Sequence, residues 1–81
     1  MLKEFLEDKM VQTIMYEVEL EVVEVKGENV WVKDYYFDCI KPFNKESLKE
    51  ELLNNLNILV ESPNSVLAGE YRGYIEYLKN M

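Results

Sequence analysis

Histidine is absent from this 81-residue chain and cysteine occurs once. Without histidine there is no Ser-His-Asp or Cys-His catalysis and no imidazole metal ligand. The single cysteine, Cys39, excludes an intrachain disulfide, a CxxC redox pair and a thiolate zinc site. Cys39 reads as a small apolar residue of the interior, with an intermolecular disulfide left open. Glycine is scarce, and Gly27, Gly69 and Gly73 are not arranged to cradle a phosphate. Gly69 and Gly73 have GxxxG spacing, but the flanking Glu70 and Arg72 do not suit a membrane helix. Long apolar runs are missing as well. Nothing approaches the ~20 residues of a membrane span. Lys3, Glu4 and Glu7 interrupt Leu2, Phe5 and Leu6, so the first residues do not read as a signal peptide. The expected location is the cytoplasm, that of the host cell if the protein is viral.

Basic residues are outnumbered, nine against sixteen acids, for a net charge of −7. Five of those excess negative charges fall within residues 1–28. A chain of this charge is repelled by phosphate backbones, which argues against direct nucleic-acid binding. The length gives one domain, residues 1–81, and the 48% apolar content is enough for a core.

Residues 2–9 read as a short amphipathic helix that must dock to persist. Residues 12–25 read as a long strand, because Tyr16, Val18, Leu20 and Val22 alternate with Glu17, Glu19 and Glu21. At Val22–Val23 the apolar phase slips by one, which means either a bulge or a strand whose two ends bury opposite faces. Lys26-Gly27-Glu28-Asn29 is a tight turn of type II′, and residues 30–39 return as the second strand. Asn44 is a helix N-cap, with Ser47 and Glu50 as a rival capping box. Leu48, Leu52, Leu56 and Leu59 then form one helical stripe, widened by Leu53, until Pro63 forces Ser62 out of helix. The last segment fits both periods. Its two glycines and its β-favouring tyrosines tip the expectation to a strand over residues 66–79. The predicted fold is α+β, in the order α-β-β-α-β. A small antiparallel sheet, hairpin plus C-terminal strand, carries one long helix on a face, with a short helix at the N-terminus.

Counting outward from Gly27-Glu28 places Val25 opposite Val30, Val23 opposite Val32, Glu21 opposite Asp34 and Glu17 opposite Asp38. That face has a valine cluster (Val23, Val25, Val30, Val32) at the turn. At its open end it has an acidic strip of Glu17, Glu19, Glu21, Asp34 and Asp38 around Tyr36. Facing carboxylates destabilise a sheet, so three readings of the strip compete. It is an ordinary solvated face read in a register displaced by a bulge, a surface for a basic protein partner, or a divalent-cation site. No loop converges the ligands, and same-face strand neighbours stand ~7 Å apart, so neither a metal nor any other cofactor is expected. The valine cluster is either covered by another element or, with Trp31, forms the interface of a homodimer. The homodimer reading expects Val32→Asp to give a folded monomer.

Catalysis would rest on carboxylates, lysine or tyrosine alone, on a domain too small for a deep cleft, so no enzymatic activity is expected. The make-up favours a binding protein. Its carboxylates would steer encounter with a basic, nucleic-acid-handling protein and sit where phosphates otherwise would. Small phage- or mobile-element-encoded inhibitors of nucleases and defence systems have this size and charge, though no motif here is specific to them. The principal alternative is the homodimeric structural or accessory protein. A weaker one is a single-stranded nucleic-acid binder using Trp31, Lys33, Tyr35 and Phe37 as a stacking strip.

Overall fold

The computed structural model describes residues 1–62 and 66–81. The elements run α1 (Leu2–Glu7), α2 (Lys9–Glu17), β1 (Leu20–Lys26), β2 (Asn29–Asp34), β3 (Cys39–Phe43), α3 (Lys45–Glu61) and α4 (Ala68–Lys79). The class is α+β, with a three-stranded antiparallel sheet in the order β1-β2-β3, a short N-terminal helix and a long helix.

Asp8 separates the first two helices. Its backbone is extended (φ −65°, ψ 123°), and its Oδ1 accepts hydrogen bonds from the amides of Met10 and Val11. It thus ends α1 and caps α2. Val11, Ile14, Met15 and Val18 follow at helical spacing, and all four are buried. Helix α2 therefore replaces the first half of the strand expected over 12–25, because that apolar set outweighs the alternation that begins at Tyr16. Helix α2 ends at Glu17 with Val18 as C-cap, and the next residue, Glu19, is a non-glycine in the left-handed region (φ 59°). This position after a helix commonly falls to glycine.

The hairpin turn is where the sequence places it. Gly27 has φ 60° and Lys26 pairs with Asn29. Glu28 does not share the positive φ, as a type II′ turn requires. Val25 pairs with Val30 and Glu24 with Trp31. The register then shifts at a bulge between Val22 and Glu24, leaving Val23 extra. Beyond the bulge Val22 meets Val32, Glu21 meets Lys33 and Leu20 meets Asp34. The expected Glu21–Asp34 and Glu17–Asp38 pairs do not form. The bulge separates the first, and Glu17 belongs to α2.

Strand β2 stops at Asp34, short of the expected Cys39, because Asp34 Oδ1 accepts from the amides of Tyr36 and Phe37 and closes a turn. The third strand is β3, not the C-terminal segment. Pro42, opposite Trp31, is tolerated there because β3 is an edge. Asn44 and Ser47 make a reciprocal capping box at the start of α3. The helix ends at Ser62, whose ψ of 127° is extended as expected; Pro63 itself lies outside the described residues.

The expected C-terminal strand is helix α4. Tyr71, Ile75 and Leu78 are buried on one side, while Gly69 and Gly73 have open space where a side chain would begin. Burial of those three side chains outweighs roughly 1 kcal/mol per glycine. The core takes residues from α1, α2, β1, β2, α3 and α4, with Leu48, Leu52 and Leu56 of α3 fully enclosed. It covers the Val30–Val32 side of the sheet, not the Trp31–Lys33 side. Among the described residues, no helix is long and apolar enough to cross a membrane.

One bond ties the two ends of the helical layer together. Tyr77 donates a hydrogen bond to Asp8 Oδ2 at 2.6 Å. That bond, ahead of the amides of Val11 and Met10, holds the Asp8 carboxyl below its ordinary pKa, and the same bond pushes the Tyr77 hydroxyl up. The Asp8 contribution to stability is present above the unfolded carboxylate value, about 3.9, and is lost as pH falls through the lower folded value. The Tyr77 contribution is present below the ordinary phenol value, about 10, and is lost as pH rises through the raised folded value. Tyr77→Phe is therefore expected to lower the urea midpoint at about pH 7, with the deficit shrinking at about pH 2. Equal deficits at both would assign the effect to packing alone.

Candidate functional site

Residues from three elements converge where α2 turns into β1. Glu17 ends α2, and Glu19, in its left-handed conformation, forms the corner. The Tyr35 amide donates to the Glu19 carbonyl at 3.1 Å, fastening the β2–β3 turn to this corner. The turn carries Tyr36 and Phe37, whose rings meet edge-to-face at 4.8 Å. Asp38 closes it in a second left-handed conformation (φ 51°).

Two depressions flank the corner. One, of about 460 Å³, has Glu17, Glu19, Asp34, Tyr36 and Phe37 on one side and Asn55, Ile58 and Leu59 of α3 on the other. The other, of about 770 Å³, lies against Gln12, Tyr16, Glu21 and Tyr35. Glu17 and Glu19 line both.

The six residues expected in an acidic strip thus divide. Glu17, Glu19, Asp34 and Tyr36 share one groove, although not one sheet face. Glu21 and Asp38 are engaged elsewhere. Glu21 lies opposite Lys33 and accepts a 2.7 Å hydrogen bond from the Tyr35 hydroxyl. That bond raises the Tyr35 pKa. Lys33 stands 3.9 Å from Asp38 and 4.9 Å above the Tyr35 ring. Lys33 therefore offsets Asp38, while Glu21 is held by Tyr35. Glu17 and Glu19 have no ion-pair partner among the described residues, which also contain no group of acids placed to hold a metal.

The corner also exposes aromatic side chains that charge pattern alone does not mark. Tyr16, Tyr36 and Phe37 are 82%, 77% and 68% exposed. Only Tyr36 belongs to the acidic set read from the sequence. Asp34 before Tyr35-Tyr36-Phe37 is the one local signal for a turn there, since aspartate readily accepts from amides two and three residues on.

The valine cluster is not a surface patch. Val30 and Val32 are 0% and 1% exposed, because β2 is the central strand and the helices cover that face. Val23 and Val25 remain half-exposed on the edge strand β1. Trp31 is half-buried on the opposite face beneath Lys26, 5.8 Å away. The stacking strip is broken too. Trp31 and Lys33 lie on that outer face, whereas Phe37 lines the groove against α3. Comparison with protein-family models, with curated proteins and with solved structures finds no match to the chain.

Proposed function

We propose that the chain is a binding protein, an inhibitor or modulator that engages a basic, nucleic-acid-handling protein through the acidic–aromatic corner. The observation that carries this reading is the exposure of Tyr16, Tyr36 and Phe37 beside two carboxylates, Glu17 and Glu19, that have no ion-pair partner among the described residues. Exposed aromatics lose water cheaply and supply most of the binding energy in many interfaces. The net charge of −7 speeds encounter with a basic surface. Carboxylates on the partner's phosphate-binding surface would exclude nucleic acid, and this is how inhibition would follow. The setting proposed is the cytoplasm, and no reaction is invoked.

The test is affinity capture of the tagged protein from a lysate of its source cell, against Glu17→Lys/Glu19→Lys. The expected result is a basic nucleic-acid-handling protein that added nucleic acid displaces. Its affinity for the double variant should fall by at least about tenfold. Equal capture by the two forms would remove the reading.

A second reading, self-association, is favoured by one observation. Edge strand β1 leaves Val22, Val23 and Val25 exposed along an unpaired side. It no longer involves Val30 or Val32. Light scattering at twice the 9.7 kDa chain mass would support it, and the mass of one chain would exclude it.

A further inference from the structure

Strand β1 is an edge that pairs only with β2, so alternate residues turn their amide and carbonyl away from the ladder. The Tyr35 amide donates to the Glu19 carbonyl. Two residues further on, Glu21 therefore faces β2, and Leu20 and Val22 face outward. Neither of those two amides has a partner outside the ladder among the described residues. The side chains of Leu20 and Val22 lie on one sheet face and that of Glu21 on the other. All three nevertheless line the larger depression beside the corner, of about 770 Å³. A space that meets both faces of one strand runs along its edge. Helix α2 forms the opposite wall, with Met15 and Tyr16. An open strand edge with a groove beside it is the geometry that takes an extended peptide as an added strand.

We infer that this groove receives an extended segment of the basic partner, which adds to β1 as a fourth strand along Leu20–Val22; the inference rests on the function proposed above. Charge selects the occupant. Glu17, Glu19 and Glu21 line the groove, and among the described residues no lysine or arginine does. A second copy of this chain would bring Glu21 and Glu24 of its own β1 against them, and like charges across a ladder destabilise it. A segment in which cations alternate with apolar residues suits both faces. Its cations lie beside Glu21, and its apolar side chains lie beside Leu20, Val22 and Met15. The bulge at Val23 ends the regular stretch, so the added strand pairs over three residues, roughly 10 Å.

The test is an amide-resolved NMR titration of the full chain with an acetylated, amidated peptide of alternating lysine and valine. Saturating shifts are expected at the Leu20 and Val22 amides, with slowed hydrogen exchange at both. The glutamate–valine counterpart should leave them unmoved. N-methylation of alternate peptide residues removes the donors along one edge of the peptide. The form methylated on the edge that meets β1 should bind at least about tenfold more weakly, and the form methylated on the other edge about as well as the parent peptide. Val22→Pro removes an outward amide and leaves the ladder bonds in place, and it should weaken binding about tenfold. Equal binding by the two methylated forms would overturn the inference, as would shifts that spread over the acidic residues without saturating. A mass of two chains with the Leu20 and Val22 amides already protected would also overturn it, since a second copy then holds the edge. The two proposals fail separately. Strand addition by the peptide without a captured basic partner retains the groove and removes the function. A captured partner that Val22→Pro binds as tightly as the parent retains the function and removes the groove.

Discussion

Val32→Asp leaves no folded protein at 25 °C. Val32 is 1% exposed on the central strand, paired with Val22 and Lys41 and covered by the helical layer. The substitution removes apolar burial and places a carboxylate among the buried apolar side chains of the core. An unpaired charge in such a site costs several kcal/mol, and the lost packing adds about 1–2 more. A domain this size has roughly 4–12 kcal/mol in total. Circular dichroism should show loss of helix signal and no cooperative melt. Val23→Asp is the control. Its side chain is half-exposed on the bulge, and its cost should stay within about 1 kcal/mol. The contrast separates the structure from the sequence-based register, in which these two valines face each other on one patch and Val32→Asp yields a folded monomer. Cooperative melting of Val32→Asp near the parent's temperature would refute this placement of β2.

Phe5→Ala should be the next most damaging change. Phe5 keeps 2% of its surface exposed and, with Leu2, is all that α1 buries completely. A six-residue helix has no stability of its own. Truncation of the ring is expected to cost about 3–5 kcal/mol. In a domain of this length that lowers the melting temperature by roughly 12 °C or more. Hydrogen exchange should show the α1 amides losing protection before those of α3. Leu6→Ala, at the half-buried neighbour, should cost about 1 kcal/mol. Equal effects of the two would mean that α1 does not dock through Phe5.

The sequence was most readable where one local signal had no rival. The Gly27 turn, the Asn44 cap and the leucine stripe of α3 each follow from a few adjacent residues. The phase slip at Val22–Val23 was visible too, and the structure shows it to be the bulge. Misreading began where two periodicities overlapped. Tyr16 to Val22 alternate, yet Val18 also completes the helical set of Val11, Ile14 and Met15, and the helix holds as far as Glu17. In α4 the glycines counted against a helix, but they lie outside the core, where they cost little beyond entropy. The end of β2 at Asp34 is not legible from strand pattern, because the turn that stops it depends on two amides further along the chain. Glu17, Glu19, Asp34 and Tyr36 were named together from their charge pattern, and they do meet. They meet around a groove whose far wall comes from α3, which strand register has no means of supplying.

The bulge has a bearing on how this chain tolerates change in length. Val23 is the one residue of β1 without a partner across the ladder. Its neighbours Val22 and Glu24 pair with Val32 and Trp31, which are consecutive in β2. Deleting Val23 would close the strand into a regular ladder and leave every other pairing in place. Deleting Val22 gives the same sequence, whereas deleting a residue of β1 away from the bulge would shift part of the strand against β2 and turn side chains to the opposite face. A single codon in the sheet is thus free to be lost, and insertions or deletions accumulating in this hairpin would be expected to fall there.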